Sequence, residues 1–253
     1  MDTRKLISPV FRLTTGQYEI VGGMEMECFS SRQARADWCR VSIAPAMEGM
    51  FSYEDMESAV FELGYEDDYD VLLSGYCRKV SGDTWKELLI RDPMIKLERV
   101  SVMASFTGCT PQDIIKYVLI QAGIAHYQLT VEVYDTKKLL VIDHCSGVET
   151  IEQVNAAWGI DNDFFFRDGI FYWGCVPDQE NIYVLEEDEN ILSLNRYGDQ
   201  YEIETFGVPW IHHSQKIEVA HTNYTGTVKV EKTIIKSDES GYVRMYIYFK
   251  GDC

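Results

Sequence analysis

Proline is scarce in this sequence, 6 residues in 253, and the 18 glycines are no surplus. That excludes a collagen-like repeat and a low-complexity disordered chain. Positive charge is short too: 23 Lys and Arg stand against 41 Asp and Glu, a net charge of −18. Proteins that grip DNA or anionic membrane need clustered Lys and Arg, so both classes are disfavoured. Long apolar runs are missing. The best candidate, Ile114 to Ile124, is interrupted by Lys116 and falls short of the roughly 18 residues a membrane span requires. The first residues, Met1 to Ile7, carry charge with no apolar stretch behind them, so no secretory leader is expected. Cysteines stand at 28, 39, 77, 109, 145, 175 and 253, odd in number and without a CxxC spacing. The expectation is a cytosolic origin with free thiols rather than a disulfide framework, with Cys253 reactive if exposed.

What the sequence does have is aromatic rings: 16 Tyr, 11 Phe and 5 Trp. Flat rings pack well on pleated surfaces, so this surplus favours strands. The length is enough for one large domain or two small ones with real cores. The acidity serves solubility, or else provides a surface that nucleic acid slides past without sticking.

The first ninety residues read as strands. Tyr18–Gly23 leads through a Gly-Gly turn into Met24–Phe29, which alternates with period two. Trp38–Ala44 is the next strand, and a short helix is placed around Tyr53 to Val60. Tyr69–Val80 carries two apolar stretches around Gly75, and Thr84–Asp92 closes this part with Pro93 as its stop. The middle differs. Thr110-Pro-Gln-Asp113 is a helix start: Thr caps, Pro111 suits the first position, and Asp113 suits the positive end. Ile114, Ile115, Val118, Leu119 and Ala122 then recur at helical spacing up to Gly123. Ser146 to Glu149 has capping-box form and opens a second helix ending at Gly159. Asp168-Gly169 between two aromatic runs, 164–173, is the strongest hairpin signal in the chain. Glu186–Asn190 marks a surface turn. Beyond it Lys216–His221, Thr225–Lys236 and Tyr242–Lys250 alternate as strands, with 237–241 as a polar turn. The expected fold is α+β, mainly β, with domains at 1–100, 101–180 and 181–253: two β domains flanking a small α/β insertion.

Chemistry is hard to find. His212, His213 and His221 are metal-type residues, but neighbours on a strand point to opposite faces and cannot share an ion. Asp143-His144-Cys145 has usable ligands without a second cluster, and sequence adjacency does not make a catalytic dyad. No GxSxG elbow, Walker loop or GxGxxG occurs. The acidic run Glu66–Asp70 lacks EF-hand spacing and reads as a solvated turn. The aromatic run 164–173, ending at Trp173, offers a sugar platform on one reading and a packed hairpin core on the better one. No catalytic residue, metal ligand or cofactor is assigned. The alternatives kept beside a structural role are a polysaccharide hydrolase with an Asp/Glu pair and a carbohydrate-binding adhesion module.

The order of the pieces is more telling than any one. Arg40–Ala44, Phe61–Tyr65 and Val71–Val80 with Gly75 resemble the start of phage tail hub proteins of the late control protein D family. That family is related to contractile-tail baseplate hubs and to the hub part of type VI secretion spikes. Leu88–Asp92 followed by Leu97, the Thr110-Pro-Gln-Asp-Ile helix ending in Gly123-Ile124, and Glu149–Gly159 followed by the Asp168-Gly169 hairpin continue the likeness. Val208–His221 is similar to the strand pair of the family's second tube-type barrel. The resemblance covers about residues 40 to 250. Two departures are a shorter chain and a His213-Ser-Gln215 turn where Pro-x-Gly is usual. The resemblance implies two tube-type β-barrel domains per subunit and a homotrimeric, pseudo-six-fold ring in the virion tail. It also implies a tail tube or distal tail protein, a central spike and a tape-measure protein as partners. DNA would pass through the lumen without specific binding, past acidic walls, and no membrane is involved.

Overall fold

The computed structural model describes residues 6, 8–44, 50–66, 68–78, 87–237 and 241–251. In chain order the elements are β1 (Pro9–Thr15), β2 (Tyr18–Val21), β3 (Met24–Ser31), β4 (Trp38–Ile43), β5 (Ser58–Tyr65), β6 (Asp68–Arg78), β7 (Glu87–Arg91), α1 (Met94–Arg99), β8 (Ser101–Phe106), α2 (Pro111–Gln121), β9 (Tyr127–Leu129), β10 (Leu140–Ser146), α3 (Gly147–Trp158), β11 (Phe164–Arg167), β12 (Ile170–Trp173), β13 (Tyr183–Glu186), β14 (Ile191–Tyr197), β15 (Gln200–Phe206), β16 (Lys216–His221), β17 (Tyr224–Ser237) and β18 (Val243–Lys250). They divide into two compact units, Met1–Asp92 with Asp178–Cys253, and Pro93–Pro177. The protein is therefore mainly β.

The larger unit is one sheet of 13 strands, ordered β14-β15-β18-β17-β3-β4-β7-β6-β5-β1-β2, with β16 on β17 and β13 on β16. The path is open, and no closed barrel forms among the described residues. Period-two sequences build it. In β18, Val243, Met245, Ile247 and Phe249 are buried while Arg244, Tyr246 and Tyr248 are only partly so. Alternation puts every second side chain on one face, and those faces share a single apolar core. The two outer β regions of the sequence meet at β3 and β17, which pair antiparallel from Lys232↔Ser31 to Lys236↔Glu27. Tyr65 ties the same two regions together, donating its hydroxyl to the Gly207 carbonyl. Burial pushes the Tyr65 phenol up to about 12. Gly75 is required where β6 meets β7: a Cβ there would lie 2.0 Å from the Arg91 carbonyl oxygen.

The smaller unit is built from local signals. Thr110 accepts from the Asp113 amide while the Asp113 carboxylate accepts from Thr110, with Pro111 at the first turn, so α2 starts where its sequence says. Ser146 and Glu149 repeat the device on α3, and Gly159 ends that helix at φ 64°. Each box holds its acid below the usual carboxylate range through hydrogen bonds from the capping residue. The β11–β12 hairpin turns on Asp168 and Gly169, both at positive φ (51° and 75°). Phe164, Phe165, Phe166, Phe171, Tyr172 and Trp173 are all buried, making the hairpin the heart of this unit's core.

Two expectations are corrected, and one element is added. Residues 53–60 form no helix: the chain turns and enters β5, whose Ala59, Phe61 and Leu63 alternate inward against β1. Cys28 and Cys39 are not free thiols but form a disulfide. They stand directly opposite in the β3–β4 register with Cα atoms 4.1 Å apart, a proximity created by pairing and invisible in linear spacing. Pro93 both follows the β7 strand and occupies the N-cap of an unforeseen helix, α1. The strand beginning expected at Thr84, part of the 237–241 turn, and Cys253 lie outside the described residues.

Candidate functional site

The residues with metal-type or nucleophilic chemistry lie apart and serve local structure. His212 and His213 sit in the turn before β16, not on a strand. His213 is buried; its Nδ1 lies 2.8 Å from the Ser214 hydroxyl and its Nε2 3.9 Å from the Asp37 carboxylate. Asp37 accepts from the Ser30 hydroxyl (2.7 Å) and the Ser31 amide (3.1 Å), and its own amide donates to Asp92 (3.0 Å). This polar knot fastens the β3–β4 turn to the β16 approach, a use that adjacency of two histidines does not announce. His221 accepts from the Asn223 amide at 3.0 Å and faces Glu187 at 3.6 Å. Asp143, His144 and Cys145 occupy a bulge in the β8–β10 pair, with His144 at φ 51°. The Cys145 sulfur meets the Gln153 amide at 2.9 Å. Among the described residues no group of three or more His, Cys, Asp or Glu is arranged to hold a metal ion. Glu66 lies in the β5–β6 turn, and Trp173, with its Nε1–H on Asn155 Oδ1 at 2.9 Å, is wholly buried.

Two larger features remain. One is a cleft of about 520 Å³ in the larger unit, lined by Leu185, Val208, Ile211, Tyr183 and Trp210, with Asp70 and Asn190 as polar members. Burial, assisted by the negative charge of Asp70, raises the Tyr183 phenol. The other is the half-exposed face of the central sheet. It carries Glu25 and Glu27 on β3, Arg40 on β4, Lys232 and Lys236 on β17, Arg244 on β18, and Glu202 and Glu204 on β15. Opposite charges meet across strands: Lys236–Glu27 at 2.8 Å, Arg40–Glu27 at 3.9 Å and Arg244–Glu204 at 3.7 Å. Rings fill the spaces, with Phe29 stacked on Trp38 (5.3 Å) and Lys232 over Tyr248 (3.6 Å). Burial lowers the Lys232 ammonium and raises the Tyr248 phenol. The face is charge-balanced. Several of the chain's acid-rich runs fall in connections, as at 186–189 after β13, where Glu189 raises the Glu186 carboxyl. A wide, ring-studded sheet of this kind is suited to contact or to lining.

The strand order also repeats. β3-β4-β7-β6-β5-β1 and β14-β15-β18-β17-β16-β13 are the same path, with each strand holding the same rank in its half of the chain. One sense differs, since β1 joins β5 antiparallel and β13 joins β16 parallel, and β2 has no counterpart.

No family model and no curated protein sequence matches this chain. Its fold is that of phage tail proteins and type VI secretion components. It is similar to the 43 kDa tail protein of prophage MuSo2 from Shewanella oneidensis, with a TM-score of 0.72 at 11% identity over 95% of this chain and 97% of that one. It is also similar to a tail protein from Neisseria meningitidis MC58, with a TM-score of 0.71 at 12% identity over 97% of both chains. A third likeness is to an Escherichia coli type VI secretion component described as resembling the T4 tail proteins gp27 and gp5. There the TM-score is 0.66 at 12% identity, over 95% of this chain and 77% of that one.

Proposed function

We propose that this chain is a non-enzymatic structural subunit of a phage-like tail, the hub that joins the tail tube to the central spike. The observation that carries the reading is the repeated strand order of the larger unit. One chain offers two like halves, so three copies present six like segments. A three-fold spike can then meet a six-fold tube by symmetry matching within a closed cyclic assembly. The two halves stand for the two tube-type domains of the late control protein D resemblance, and the smaller unit is a surface for neighbouring tail proteins. The partners are further copies of the chain, a tail tube or distal tail protein, the spike and the tape-measure protein, in the virion tail.

DNA crosses the ring without being held. The central sheet face supports this through balance rather than acidity, because its lysines and arginines are matched by Glu25, Glu27, Glu202 and Glu204. Repulsion of phosphates falls to the acid-rich connections. A carbohydrate module would need its rings outside, and the 164–173 rings are inside. The test is light scattering on the purified chain, alone and mixed with its neighbouring tail proteins. Trimers, or a defined complex with the tube or spike protein, are expected. Failure to associate in either case would contradict a hub.

A further inference from the structure

β9 ends the smaller unit's three-stranded sheet, paired with β12 along one edge. From Tyr127 to Tyr134 the sequence reads Tyr-Gln-Leu-Thr-Val-Glu-Val-Tyr, so period two runs on past the strand's end at Leu129. Successive residues of an extended chain turn their N–H and C=O groups to opposite edges. Here the even-numbered residues turn inward. The His126 carbonyl accepts from the Phe171 amide (3.0 Å), and the Thr130 amide donates to the Trp173 carbonyl (2.9 Å). Gln112 on α2 then donates to the carbonyls of Thr130 (3.4 Å) and Glu132 (2.8 Å), carrying the alternation beyond β9. The odd-numbered residues turn outward. Among the described residues, the backbone groups of Val131 and Val133 find no partner within the chain. Their side chains are the most exposed of the large apolar ones described, at 97% and 94%.

We propose that this edge, Tyr127 to Val133, is a docking strand onto which an extended segment of a neighbouring tail protein adds. The inference rests on the reading of the smaller unit as a surface for such neighbours, and it names the contact. An added strand pairs the outward N–H and C=O groups. The edge is already set in place. The Tyr134 ring stands edge-on to Trp173 (5.9 Å), and its hydroxyl donates to the Glu132 carboxylate (2.7 Å) and accepts from the Asn162 amide (3.0 Å). Trp158 donates its Nε1–H to the Asp135 carbonyl (2.7 Å) just beyond. A partner thus meets an ordered edge, and little ordering entropy opposes docking.

The side chains state what the partner carries. Val131 and Val133 share one face of the segment, and Glu132 stands on the other. Glu132 is exposed, and it bears the one formal charge between Tyr127 and Tyr134. The chain as a whole carries −18. A matching segment therefore has aliphatic residues at alternate positions, packed on the valines, and Lys or Arg between them to meet Glu132. Cross-strand pairs of both kinds stabilise a ladder. The same edge from a second copy fits less well, because Tyr127 to Tyr134 brings no cation to Glu132.

The experiment mixes the full chain with the peptide acetyl-Thr-Val-Lys-Val-Lys-Val-Thr-amide. Binding is followed by calorimetry, and hydrogen exchange is read at the Val131 and Val133 amides. Saturable binding is expected, with both amides slowed about tenfold or more. Val131→Pro should weaken binding about tenfold or more, and the fold loses no hydrogen bond by it because that amide has no partner in the chain. The same peptide with its amides N-methylated should bind as poorly to the wild type. Glu132→Lys should reverse the preference, toward the peptide with Glu in place of Lys. Should either variant fail to fold, the N-methylated peptide and exchange on the wild type decide alone. No binding, equal binding of the N-methylated peptide, or amides that stay fast in the complex would overturn the site. Amides that slow as the chain alone is concentrated would overturn the foreign partner in favour of a second copy. Trimers seen by light scattering would leave the hub standing in each of those cases. A chain that binds the peptide yet associates with neither itself nor any tail protein would contradict the hub while supporting the strand site.

Discussion

The two halves of the larger unit use the same strand path and differ in what flanks it among the described residues. In the second half β17 is flanked at every level, by β16, β3 and β18. In the first half the described part of β6 is flanked by β5 and β7, and the β5 flank continues through Cys77, which bonds to Met56 and Glu57. The difference teaches that the two halves repeat one strand path, and that β17 in addition carries the β3 junction that joins them. The smaller unit is the contrast to both: short-range pairs, capped helices and a two-residue hairpin, with no repeat.

The comparison can be broken at matched positions. Gly75 on β6 and Val228 on β17 hold the same place in the two halves. Gly75→Val drives a side chain into the Arg91 carbonyl, a backbone atom with nowhere to go. It should cost at least about 4 kcal/mol or prevent folding, in the range of severe core lesions. Val228→Ala removes buried methyl groups only and should cost about 2 kcal/mol. Urea titration followed by Trp fluorescence separates them, and equal effects would mean the two positions are not equivalent.

Next in size is Phe61→Ala, expected to cost about 3–5 kcal/mol, with Ile247→Ala at about 2–5. Both side chains are fully buried in one shared core, one in each half. Calorimetry should show the whole larger unit melting in a single transition in either variant. Two transitions would show independent halves.

Tyr65→Phe is smaller. It leaves the Gly207 carbonyl without its donor, at about 1–3 kcal/mol. It also changes the alkaline limb. The folded phenol is raised to about 12 from an ordinary value of about 10, so its contribution is full below pH ~10 and lost as pH rises toward 12. The Phe variant should lose stability less steeply there.

Smallest are Thr110→Ala and Ser146→Ala in the smaller unit, each about 1 kcal/mol. The Asp113 and Glu149 carboxyls are lowered in the folded state by these caps. Their contribution is present above about pH 4 and fades as pH falls below it. The cap variants should flatten that acid limb without touching the larger unit's melting.

Legibility followed range. The α2 and α3 caps and the Asp168-Gly169 turn were readable because each is specified within a few residues. Strands β3, β4, β16 and β18 were readable from strict alternation. β14 was not: exposed Leu192 and polar Ser193 and Asn195 blur its period, as expected of a strand with an open flank. The β3–β17 junction joins residues about two hundred positions apart, and the Cys28–Cys39 bond depends on register; neither leaves a linear trace. His213 was set aside as a metal ligand, but its role as a fastener was not legible, because its partner Asp37 comes from the far half of the sequence. The resemblance in element order carried the fold class. It could not show the fork at β17, which only the pairing reveals.

The most direct measurement is electron microscopy of end-on views of the purified assembly, with its mass taken in parallel. The account predicts three copies per particle and a ring whose rotational power peaks at six-fold, with a weaker three-fold component from the smaller units. Three copies with three-fold power alone, or a particle without a central opening, would contradict it.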